Sequence, residues 1–187
     1  MILHKHKAVH IHISKCAGQS VERAFGQPIG QHHLKPAIIR SIGQGKWDDY
    51  YKFTFVRNPW DRLVSMYHYR RKHQRHLIKG RSFNTWIRQI FVEYHPKVHQ
   101  HYWIADDGKL FVDFVGKVES MASDFDKVCR TIGAEVSLPH VNKSKHEHYA
   151  SYYDDKTKEL VRRECAQDIE MFGYTFEGGF SPAMVLR

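Results

Sequence analysis

An α/β fold, a parallel sheet flanked by helices, is predicted by two observations on the sequence. Apolar, β-favouring runs beginning at Val9, Tyr51 and Leu110 are each followed by a turn and then by a helical pattern. No internal repeat, low-complexity stretch or linker interrupts that alternation, so residues 1–187 read as a single domain. In such sheets ligands bind beyond the carboxyl ends of the strands, which is where the turns fall.

The first unit is HIHISKCAGQSVERAF, His10 to Phe25. Val9, Ile11 and Ile13 alternate with His10, His12 and Ser14, the period of a strand. Lys15 to Ser20 supplies small residues, backbone N–H groups, a hydroxyl and one cation. Val21, Ala24 and Phe25 then return at helical spacing. The loop's N–H groups would stand at a helix N-terminus, where partial positive charge favours an anion. The nucleotide-triphosphatase pattern GxxxxGK[ST] is absent, because Lys15 precedes Gly18.

A loop follows from Gly26 to Gly30, then His32 and His33 stand just ahead of a short helical pattern, Ala37, Ile38, Ile39 and Ile42, closed by Gly43 and Gly45. YKFTFV, Tyr51 to Val56, is the second strand. Asn58 is positioned as helix cap, Pro59 as first helical residue and Asp61 at the capping-box position. That helix carries Leu63, Val64, Met66, Tyr67 and Tyr69 before the basic run Arg70, Arg71 and Lys72. In the middle, Phe83, Trp86, Ile87, Ile90 and Phe91 fit one helical face. Tyr94 to Trp103 mixes histidines and aromatics without a clean period, and this insertion could frame an acceptor pocket.

LFVDFVGKV, Leu110 to Val118, predicts a third strand, and Ser120 could cap a helix with Met121, Phe125, Val128, Cys129 and Ile132 inward and Gly133 past its end. Leu138 to Tyr149 is a polar, basic loop. Asp154 to Phe172 reads as one charged amphipathic helix ended by Gly173, and the tail from about 177 as loosely held.

Charge narrows the partners. Lys and Arg number 29 against 20 Asp and Glu, a formal +9, so anionic ligands are attracted. Three sparse cysteines, Cys16, Cys129 and Cys165, with no CxxC pair, argue for reduced thiols. With no signal-peptide core and no run of membrane-spanning length, the expected location is cytoplasmic. Fifteen histidines invite a metal reading, but His4, His6, His10 and His12 share a face only if one strand runs through all four. His95, His99 and His101 show no ligand set with carboxylates or cysteines, so no metal is expected.

Taken together, KCAGQS after a strand, FVRNPWDRLVSMYHY after a second, DFVGKVE, and LPHVNKSK followed by YYDD and FGY resemble the carbohydrate sulfotransferase family, over Val9 to Tyr174. The resemblance implies a P-loop-like α/β fold and 3'-phosphoadenosine 5'-phosphosulfate (PAPS) as donor, with adenosine 3',5'-bisphosphate (PAP) as product. It implies that Lys15, Cys16, Ala17, Gly18, Gln19 and Ser20 form the 5'-phosphosulfate loop, with Lys15 neutralising charge on the leaving phosphate oxygen. The family more often has threonine where Cys16 and Gln19 stand, and proline where Ser14 stands.

By the same resemblance, Arg57 and Ser65 carry the 3'-phosphate motif, with Arg62 as an alternative or supporting cation, and Asn142, Lys143 and Ser144 close on the nucleotide. A catalytic histidine ahead of a short helix points to the pair His32 and His33. His33-Leu34 fits the family's pattern better, and His32 remains the alternative. The acceptor implied is a carbohydrate or polysaccharide hydroxyl. Two other functions fit parts of the sequence: a small-molecule kinase with a related phosphate loop, which would prefer ATP with magnesium to PAP, and a basic nucleic-acid-binding module, for which no recognisable motif is present.

Overall fold

Three central parallel strands carry the sheet. The computed structural model describes residues 1–27, 47–139 and 147–186. His32 and His33, the short helical pattern Ala37 to Ile42, and Asn142, Lys143, Ser144 and Lys145 lie outside the described residues. The chain divides into two compact units: Met1–Val56, His101–Val141 and Pro182–Arg187 form the first, Arg57–Gln100 and Asn142–Ser181 the second.

The first unit holds a five-stranded sheet of β1 (Ile2–Leu3), β2 (Ala8–Ile11), β3 (Tyr51–Val56), β6 (Phe114–Lys117) and β7 (Met184–Val185), in the order β1-β2-β3-β6-β7. β2, β3 and β6 run parallel, with His10 opposite Phe53 and Phe53 opposite Phe114, while β1 and β7 close the edges antiparallel. The segment after residue 177 thus supplies a strand. Val9, Ile11, Val56 and Val115 are buried as completely as Phe53, Phe55 and Phe114 on the opposite face. Burial on both faces is why these strands read as nearly continuous apolar runs.

Two helices of this unit, α1 (Gly18–Ala24) and α5 (Met121–Ile132), share one apolar cluster in which Val21, Phe125, Val128 and Cys129 meet Phe53, Phe55 and Phe114. Gly133 ends α5 with a φ of 62°, as its position past the last apolar residue predicts. No helix among the described residues is long and apolar enough to cross a membrane.

The run Leu110 to Val118 is shorter as a strand than its composition predicts. Leu110 belongs instead to a two-residue hairpin, β4 (Ala105–Asp106) with β5 (Lys109–Leu110), turned by Asp107 and Gly108, both at positive φ. Phe111 donates back to the Ile104 carbonyl, and the sheet strand begins only at Phe114. No single strand runs through His4, His6, His10 and His12: His4 and His6 form a short 3-10 turn ended by Lys7 in the left-handed region.

The second unit is helical: α2 (Pro59–His73), α3 (Arg75–Ile78), α4 (Phe83–Glu93), α6 (Asp155–Glu164) and α7 (Ala166–Phe172). Trp60, Leu63 and Tyr67 of α2 pack with Phe83, Trp86, Ile87, Ile90 and Phe91 of α4, the face predicted, and with Val161 and Cys165. The helix expected over Asp154 to Phe172 breaks at Cys165, which is buried in this cluster. Asp154 caps α6 with a reciprocal Thr157 pair, and Gly173 ends α7 at a φ of 65°.

Candidate active site

The turn after β2 is built for close backbone approach. Lys15 and Ala17 both take left-handed backbone angles, φ 66° and 60°. Cys16 N–H donates to Ile13 O at 3.2 Å, and Ser20 and Val21 N–H groups donate to Ala17 O. Among the described residues, the backbone N–H groups of Ala17, Gly18 and Gln19 donate to no acceptor. Three such donors in succession at the head of a helix are groups that can bind phosphate or sulfate oxygens. Lys15, half-buried in the same turn, adds the cation. Cys16 contributes only backbone here, because its thiol is buried and donates to Ser14 O. Gln19 is exposed and Ser20 half-buried.

Beneath this turn lie residues that the alternating pattern misplaces. His10 and His12, which the sequence puts on a polar face, are both buried, and their rings stack 5.9 Å apart. His10 also stacks on Phe53, and burial with the His12 imidazole beside it pushes its pKa well below the usual value, so it is neutral. His12 Nδ1 lies 2.7 Å from Glu22 Oε1, with Glu22 wholly buried.

At the end of β6 stands a buried cation, Lys117. Burial pushes its pKa down to about 8, against the pull of Glu119 and Asp124. The folded protein therefore releases this proton near pH 8, while the unfolded chain keeps it to the ordinary 10.5. In that window the unfolded state binds more protons, so this group's contribution to stability rises with pH. Urea unfolding of the wild type and Lys117→Met is expected to show the wild type gaining stability relative to the variant between pH 8 and 10.

In the helical unit, Arg57 Nε and Nη2 both donate to Asp61 Oδ2, at 2.9 and 2.8 Å. Asp61, expected at a capping-box position, thus serves to fix the guanidinium. Asn58 does cap α2, accepting from Trp60 N–H at 3.1 Å, and its amide donates to Thr175 O. Gln100 brackets the Arg57 backbone: its Oε1 accepts Arg57 N–H at 2.8 Å and its Nε2 donates to Arg57 O at 2.9 Å. Asp168 in turn accepts Gln100 N–H at 2.7 Å. This buried relay could not be read from sequence, since its members are 43 and 68 residues apart. Ser65 is buried on α2, one turn beyond Asp61. Arg62 is also buried and donates to Val98 O at 2.6 Å, which makes it an internal strut. Of the basic run, Arg70 turns inward and lies 4.0 Å over the Tyr94 ring, while Arg71 and Lys72 are exposed.

His99, read from sequence as lacking cysteine or carboxylate partners, is gathered with Cys165 and Asp168, their candidate ligand atoms all within 4.8 Å. Burial, reinforced by Asp168, pushes the Cys165 thiol well above its ordinary value. Asp168 Oδ2 of this trio is the oxygen that accepts Gln100 N–H.

The family model described as "Sulfotransferase family" matches residues 1–175. An Archaeoglobus fulgidus protein described as "Uncharacterized protein" is 31% identical over 106 residues, spanning 54% of this chain and 82% of that protein. No solved structure matches the chain.

Proposed function

Because the chain belongs to the sulfotransferase family, we propose that it transfers a sulfuryl group from PAPS to a hydroxyl of a carbohydrate acceptor and releases PAP. The observation that carries this reading is the Lys15 turn, whose Ala17, Gly18 and Gln19 N–H groups donate to no acceptor among the described residues. Such a turn suits the 5'-phosphosulfate end of the donor, with Cys16 and Ser20 completing the loop. Arg57, held by Asp61 and bracketed by Gln100, is proposed to bind the 3'-phosphate, and Ser65 is its proposed partner. Lys143 and Ser144, with Asn142, are proposed to close on the nucleotide, as the family resemblance implies.

In the transfer, the acceptor oxygen bonds to sulfur as the sulfur–oxygen bond to the 5'-phosphate breaks. The acceptor proton passes to His33, or to His32, and the electron pair of the broken bond stays on the phosphate oxygen. Lys15 stabilises the charge growing there. Positioning and charge stabilisation carry this kind of reaction, as in phosphoryl transfer, and the step needs no metal ion. Labelled sulfate supplied as PAPS is expected to move to a saccharide with release of PAP.

A further inference from the structure

Gly18, the first residue of α1, has an ordinary negative φ, so its backbone conformation does not demand glycine. Its surroundings do. A Cβ built there would lie 2.1 Å from Cδ2 and 2.3 Å from Nε2 of His12. The opposite nitrogen of that ring, Nδ1, meets Glu22 at 2.7 Å. Gly18 and Glu22 are four residues apart, one turn along the same face of α1. One imidazole thus touches the helix at its start and one turn in. Between His12 and Gly18 run only Ile13 to Ala17, the segment that holds Lys15 and both left-handed residues.

An apolar side chain at position 12 could fill this space but could not fix the ring's direction. A short hydrogen bond to a carboxylate is directional, and a wholly buried carboxylate is costly unless it is paired. We propose that His12 and Glu22 form a buried clamp that ties the two ends of the anion loop together, making both positioning residues for sulfuryl transfer. The clamp fixes Lys15 and the loop's N–H groups before the donor arrives, the arrangement in which preorganised donors contribute most. As a role in catalysis it rests on the function proposed above. As a statement about the loop it does not.

Hydrogen exchange on the full chain without donor, joined to steady-state kinetics, tests the clamp. In His12→Leu, exchange at the Cys16 and Ser20 amides is expected to rise about tenfold, the equivalent of one lost hydrogen bond. Well below the unfolding temperature, kcat should fall about 10²-fold with KM for PAPS little changed, the effect of a misplaced loop. Glu22→Gln, which keeps an acceptor for Nδ1–H, should lose less of both. Unchanged loop exchange in His12→Leu overturns the proposal. If that variant does not fold, unchanged exchange in Glu22→Ala, which removes the acceptor, overturns it equally. Failure of the wild type to use PAPS would overturn the functional reading alone, because loop exchange is read without any ligand.

Discussion

Lys15→Ala is expected to lower kcat for sulfuryl transfer by about 10²–10³-fold, the loss typical when one preorganised charge-stabilising group is removed. The fold should survive, because Lys15 is half-buried in a turn and belongs to neither apolar cluster. Alanine at a left-handed φ of 66° is no more strained than lysine there, so a change in loop shape is not the expected cause of the loss. Lys15→Arg should recover part of the rate, since charge is restored on a flatter and longer group. The distinguishing readout is kcat at saturating PAPS. A leaving-group cation acts in the transition state, so its loss lowers kcat and kcat/KM together. Wild-type kcat in Lys15→Ala would show that another residue carries this charge.

Arg57→Ala should act on binding. Loss of charge-assisted bonds to a 3'-phosphate is worth about 1.5–3 kcal/mol, or about 10- to 150-fold in Kd for PAP. The comparison that gives the experiment its force is adenosine 5'-phosphate, which lacks the 3' group and should bind wild type and variant alike. The residual cost to the fold is small, because Asp61 is 22% exposed and water can solvate the carboxylate left behind. Equal weakening of both nucleotides would place Arg57 away from the 3'-phosphate.

The second strand and helix are the part most legible in the sequence. YKFTFV is β-favouring, Asn58 offers a capping oxygen, and Pro59 cannot sit deeper in a helix, so strand, turn and helix start where local chemistry requires. Gly133 and Gly173 mark helix ends by the same kind of local rule. Where sequence reading falls short, tertiary packing decides. Nothing within the run Glu164-Cys165-Ala166 breaks a helix, yet Cys165 turns into the core there. Alternation in HIHIS correctly puts His10 and His12 on one face but cannot say that this face is buried as well. The turn around Lys15 was legible as a strand-to-helix loop. Its support, Glu22 under His12, was not, because a glutamate on a short helix is ordinarily solvated.

The most direct measurement of the central claim is transfer itself. The protein is incubated with PAPS carrying radiolabelled sulfate and a panel of saccharides, and in parallel with ATP, magnesium and the same acceptors. Label on a saccharide with equimolar PAP, and no phosphorylated product from ATP, is the predicted result. Phosphoryl transfer from ATP, with PAPS left intact, would contradict it.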